Sequence, residues 1–243
     1  MSNIAIKGAA TGSGTFTLEA PATSTNRTLT LPDEAGTILT NAKTAPGGLV
    51  SIQSFTSSGS YTWTKPAGIN LIKVYVTGGG GGTHSNATGN YATGGAGGTS
   101  IKIIDVSAIT SITLTVGAGG AGNTGGAGGA GGTSSFGTHC SATGAQGGFI
   151  GTANGIYYGG GLPGVGVNGV INLKGGGGSR AGSTNLVTQG ASSYWGGAGN
   201  GIYNTSQGSA SVSGTHGGGG GGMYDASALS NGGTGVVLVE EYA

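Results

Sequence analysis

The sequence predicts an all-β chain: a short N-terminal module, a small β-sandwich, and a bundle of glycine-rich helices of the polyproline-II type. Three observations predict it. Strand text with period-two alternation opens and closes the region 51–243. Glycine supplies 61 of the 243 residues, against ~7% in ordinary domains. That glycine also recurs with a period of three. In GAGGAGNTGGAGGAGG, 117–132, positions 119, 122, 125, 128 and 131 are Gly, while 118, 121, 124, 127 and 130 read Ala, Ala, Thr, Ala, Ala. The third set is Gly except for Asn123. A strand repeats every two residues and an α-helix every 3.6, whereas a polyproline-II helix repeats every three.

Residues 1–41 alternate polar with apolar, placing Phe16 with Leu18 and Leu29 with Leu31 on shared faces, broken by turns such as Pro32-Asp33. So few apolar residues do not close a core in one copy, so oligomerisation, threefold in the simplest case, is the expected remedy. Residues 42–50 read as a linker. Strand text then fills 51–76, where Tyr61 and Trp63 share a face and are assigned to the sandwich core, and Ile72, Val74 and Val76 share another. It resumes within 101–116 and returns at 236–242. The segments 77–100 and 117–235 are therefore excursions, in which pure glycine runs alternate with side-chain-bearing loops.

A polyproline-II helix has no internal hydrogen bonds, so its N–H and C=O groups must find partners on neighbouring chains. Glycine lets backbones approach closely enough, yet loses the most entropy on ordering, so such struts are expected only as a bundle. The Ala and Thr of each triplet are expected to face a neighbouring strut or the sandwich. Extended, 117–132 would span about 50 Å.

Composition narrows the partners. The formal net charge is +1, with eight scattered Lys and Arg, which gives no basic patch for nucleic acid. The longest apolar run, 69–76, is far short of the ~20 residues of a membrane span, and the N-terminus lacks a signal-peptide core. The expectation is synthesis in a cytoplasm without membrane insertion. A single cysteine, Cys140, excludes an internal disulfide.

Catalytic text is sparse. Glycan hydrolysis needs two carboxyls about 5–9.5 Å apart. Of the seven acids (Glu19, Asp33, Glu34, Asp105, Asp225, Glu240, Glu241) only Asp225 falls in a candidate loop. His84, His139 and His216 are spaced poorly for a metal, with a symmetry axis the one arrangement that would gather copies of one of them. No P-loop ending follows any glycine run. The chain is expected to be no enzyme and to carry no cofactor or metal. Aromatic rings in the excursions are the candidate contacts, because Tyr and Trp offer large contact area at little entropic cost. They are Tyr91, Phe136, Tyr157, Tyr158, Tyr194, Trp195, Tyr203 and Tyr224, with the pairs Tyr157-Tyr158 and Tyr194-Trp195 foremost. The competing role for such rings is to plug strut ends or pack on the sandwich.

FTSSGSYTWTKPAGINLIKVYVTGGGGG, ITLTVGAGGAG and GTGVVLVEEY resemble the glycine-rich domain of bacteriophage tail-fibre and receptor-binding proteins. SGTFTLEAPATSTNRTLTLPDEAGTILT resembles a short module that recurs in phage fibres. In style, the alternation of strut and loop is similar to the distal adhesins of T-even-like phages. The resemblance implies a homotrimeric virion fibre. Its N-terminus would join tail or adaptor proteins, and its tip loops would bind lipopolysaccharide, glycan or an outer-membrane protein on the host. A purely structural fibre and a glycan-degrading tailspike are the alternatives.

Overall fold

The computed structural model describes residues 48–85, 91–153, 156–181, 188–200, 213–222 and 229–243. The chain divides into two units, Met1–Thr40 and Asn41–Ala243, and every described residue belongs to the second. The N-terminal module predicted over 1–41 lies outside the described residues.

The described chain is all-β. One five-stranded antiparallel sheet runs in the order Leu49–Phe55, Val236–Tyr242, Leu71–Thr77, Thr99–Asp105, Ile171–Leu173. A second runs Gly166–Val167, Cys140–Ala142, Ser134–Phe136, Ser111–Val116, Gly59–Thr64. The alternation read from sequence sets which face is buried. Ile72, Val74, Val76, Val237 and Val239 of the first sheet meet Trp63, Ile112, Leu114, Val116 and Phe136 of the second in one core. Tyr61 packs half-buried against it.

The wholly buried Glu241 takes a core position on the alternation of Val237 and Val239. Its carboxylate accepts from Trp63 Nε1 at 2.7 Å, from Gln53 Nε2 at 2.7 Å, and from the Ser51 hydroxyl. Three donors replace the water lost by burial, which is the condition for tolerating a carboxylate in a core.

Beyond the sandwich, strands run on into glycine struts. Leu71–Thr77 continues into 78–83, 93–98 leads into Thr99–Asp105, and 229–235 leads into Val236–Tyr242. From the second sheet, Ser111–Val116 continues into 117–122 and Cys140–Ala142 into 143–148. In the sandwich, side chains hold the sheets ~10 Å apart. Where glycine removes those side chains, the backbones of the two layers close to hydrogen-bonding distance.

The strut 78–83 has six neighbours. The N–H groups of Gly78 and Gly81 donate to Gly98 and Gly95, those of Gly79 and Gly82 to Gly132 and Gly129, and those of Gly80 and Thr83 to Gly233 and Ser230. All three of these neighbours run antiparallel to it. Its carbonyls at Gly79 and Gly82 accept from Ala145 and Gly148, those at Gly80 and Thr83 from Gly120 and Asn123, and that of Gly81 from Gly220. Bonds step to a new neighbour at each residue and return every third, as three residues per turn require. This is the polyglycine-II arrangement. A Cβ on Gly81 would lie 2.0 Å from the Gln146 carbonyl oxygen, so the lattice closes only without side chains.

Several expectations need correction. The stretch 117–132 is not one long rod but two antiparallel struts, with Gly129 and Gly132 donating to Ala121 and Ala118. Asn123, the break in the triplet pattern, makes the turn, its side-chain amide donating to the Ala127 carbonyl at 3.0 Å, while Gly125 adopts φ +80°. Ala118, Ala121, Ala127 and Ala130 are exposed to solvent rather than packed on a neighbouring strut or the sandwich. The excursions also return to the sandwich, supplying Ser134–Phe136, Cys140–Ala142, Gly166–Val167 and Ile171–Leu173. The first strand begins at Leu49, inside the segment read as linker.

Candidate functional site

Among the described residues the struts form three layers, whereas the sandwich has two. The third layer, 188–200 with 213–222, bonds to the struts that extend the first sheet. Gly97 donates to Gly217, Ala191 to Gly94, Gly220 to Gly81, and Gly233 to Gly218. Among the described residues this layer has no counterpart over the sandwich, so it ends as a step above the outer face of the first sheet.

Tyr194 and Trp195 occupy that step. They sit in a tight turn in which Ser193 N–H donates to the Gly196 carbonyl at 3.0 Å. The Ser193 hydroxyl oxygen accepts from Gly196 N–H at 2.8 Å and Trp195 N–H at 3.2 Å, and its hydroxyl donates to the His216 carbonyl at 2.6 Å. Gly196 is held against its neighbour, since a Cβ there would meet the Thr215 carbonyl oxygen at 1.7 Å. The turn pushes both rings outward, and Tyr194 is 51% and Trp195 40% exposed.

The two rings meet edge to face at 4.9 Å and overhang Tyr75 of the sheet. Tyr75 stacks on Tyr194 at 6.3 Å and meets Trp195 at 5.4 Å. Tyr75 lies on the face opposite Val74 and Val76, with Lys73, Glu240 and Tyr242. Lys73 Nζ stands 4.8 Å over the Tyr75 ring and 4.0 Å from Glu240. Glu240 accepts from the hydroxyls of Tyr242 at 2.8 Å and Tyr75 at 3.3 Å. Tyr75 foremost, with the Glu240 carboxylate and the Tyr242 phenol nearby, holds the Lys73 pKa above its ordinary value. The bond donated to Glu240 raises that of Tyr242. Around this polar centre Ile52, Leu71 and Ile103 are exposed.

On the other side of Tyr194 a crevice of about 250 Å³ opens under the step, lined by Thr99, Leu173, Lys174, Ser192, Ser193 and backbone of Gly97 and Gly175. Tyr194 is thus the common wall of an open aromatic floor and a small crevice of mixed polar and apolar lining.

The other aromatic candidates fall elsewhere. Phe136 is not at a loop tip: it is wholly buried and packs on Trp63 at 5.9 Å. Tyr91 is also buried, on a two-residue strand paired with His84–Ser85 and Arg180–Ala181. Tyr157 and Tyr158 lie on the strand Ile156–Gly159, paired with Ile150–Ala153, and their side chains are outside what is described. Tyr203 and Tyr224 fall outside the described residues. His84 donates its Nδ1–H to the Gly126 carbonyl. Among the described residues no three His, Cys, Asp or Glu side chains gather for a metal. Sequence reasoning missed Tyr75, Lys73, Glu240 and Lys174, because nothing local indicates that the third layer stops beside them.

The chain belongs to the glycine-rich domain family, which matches residues 56–242. No curated protein matches the sequence.

Proposed function

We propose that this chain is the receptor-binding tip of a bacteriophage tail fibre, adhering to the host cell surface through the Tyr194–Trp195 step. One observation carries the reading. Two large aromatic rings are held outward by a turn whose neighbouring strut backbone is locked by interstrand hydrogen bonds. Exposed aromatics on a rigid support lose little entropy on binding, and such pairs dominate recognition surfaces. The resemblance of 1–41 to a recurring fibre module assigns that part to virion attachment and homotrimerisation. Three tips per fibre would then raise effective concentration at the cell surface.

The test is binding of labelled full-length protein to intact candidate host cells, beside a Tyr194→Ala/Trp195→Ala variant whose circular dichroism matches the parent. Saturable binding reduced at least tenfold in the folded variant supports the reading. Equal binding by parent and variant removes the step from the function, and absence of binding to every host favours a purely structural fibre.

A further inference from the structure

Resting on that adhesive reading, we infer that the step is a saccharide site, in which a hexopyranose ring enters the crevice beneath Tyr194 and the adjoining ring of the glycan lies against Tyr194 and Trp195. The size of the crevice sets the first limit. At about 250 Å³ it is smaller than the ~300–1,000 Å³ of sites that enclose drug-sized molecules, and suits one ring rather than a folded peptide loop.

The lining sets the second. A sugar ring presents hydroxyls that both donate and accept, around a face of apolar C–H groups. The lining residues carry both kinds of group: Lys174 has an ammonium, Ser192 a hydroxyl, Gly97 and Gly175 backbone carbonyls, and Leu173 and Tyr194 apolar surface. The N–H groups of Gly97 and Gly175 are already given to the Gly217 and Gly164 carbonyls, so what the strut backbone offers a sugar hydroxyl is carbonyl oxygen as acceptor.

Outside the crevice the pattern repeats on a flat surface. Tyr75, on which Tyr194 and Trp195 both pack, is also met by Lys73 and donates to Glu240, which accepts in turn from the hydroxyl of Tyr242. A cation and a carboxylate 4.0 Å apart leave this floor without net charge, which fits a neutral sugar hydroxylated along its edge. A lipid surface would call for cations in excess and a continuous apolar face, and the paired charges at the centre oppose it. Lys174, Ser192, Lys73 and Glu240 are accordingly assigned as ligand contacts beside the two rings.

The probes are free methyl glycosides of glucose, galactose, mannose and N-acetylglucosamine, each at ~10 mM because single-ring contacts are weak. The measurement is saturation-transfer NMR on the full-length protein. At least one glycoside should receive saturation, strongest on the protons of one ring face. The signal should fall at least fivefold in Lys174→Ala and in Tyr194→Ala, and stay within twofold of the parent in Leu162→Ala, an exposed position outside the step. Absence of transfer to all four glycosides, or transfer unchanged in both site variants, overturns the proposal. Cell binding separates this failure from failure of the adhesive reading. Binding that needs Tyr194 and Trp195, survives periodate cleavage of cell-surface diols and is lost on protease treatment keeps adhesion and replaces the sugar with a protein receptor.

Discussion

Trp63 and Glu241 lie 178 residues apart in sequence, and the indole N–H of one donates to the carboxylate of the other at 2.7 Å inside the core. The bond ties the second sheet to the last strand of the first, so the sandwich is closed through a polar contact as well as an apolar one. Trp63→Phe removes a donor from a buried carboxylate and leaves a small void, and is expected to cost about 2–3 kcal/mol in chemical denaturation. Combined with Glu241→Leu, the double-mutant cycle should show coupling above about 1 kcal/mol. Additive costs would mean that the bond contributes little in solution.

Two glycines separate lattice from surface. Gly81 has no room for a Cβ, with the Gln146 carbonyl oxygen at 2.0 Å, whereas nothing lies within 4 Å of a Cβ on Gly197. Gly81→Ala must force struts apart and break several hydrogen bonds, for an expected loss above about 3 kcal/mol. Gly197→Ala should be neutral or stabilising by up to about 1 kcal/mol, since it restricts the unfolded chain. Thermal or denaturant unfolding of the two variants checks the contrast.

Cys140 gives a pH-dependent signature. Burial raises its thiol from an ordinary 9.0 to about 11. The folded value lies above the unfolded one, so its contribution is complete below pH 9 and is lost as pH rises toward 11. That loss amounts to about 2–3 kcal/mol. The decline in stability between those pH values should be smaller by that amount in Cys140→Ala. In the folded parent at pH 8 the thiol should react with an alkylating reagent only as fast as the chain opens.

Much of this architecture was legible in the sequence, for local reasons. Val74 and Val76 alternate with Lys73 and Tyr75, which fixes the buried face of the strand whatever its neighbours are. The period of three at 117–132 names the strut type for the same reason. Which strut touches which is not local, since Gly81 bonds to Gly95 and Gly220 and an isolated glycine run carries no record of its partners. Phe136 was misread because SSFGTHCSA looks like a loop between glycine runs. Its alternation of Ser134 and Phe136 with a Gly137 turn was the available sign of a hairpin. Tyr194 and Trp195 were recognisable as adjacent rings, but their floor at Tyr75 depends on where the third layer ends.

Glycine here builds a scaffold rather than a tether, and amide hydrogen exchange across 78–83 distinguishes the two. Every one of these amides has a carbonyl partner on another strut. Gly79 and Gly81 should exchange as slowly as Val74 and Val76 of the sandwich, opening only with global unfolding. Exchange of those glycines near free-chain rates, while the sandwich stays protected, would contradict it.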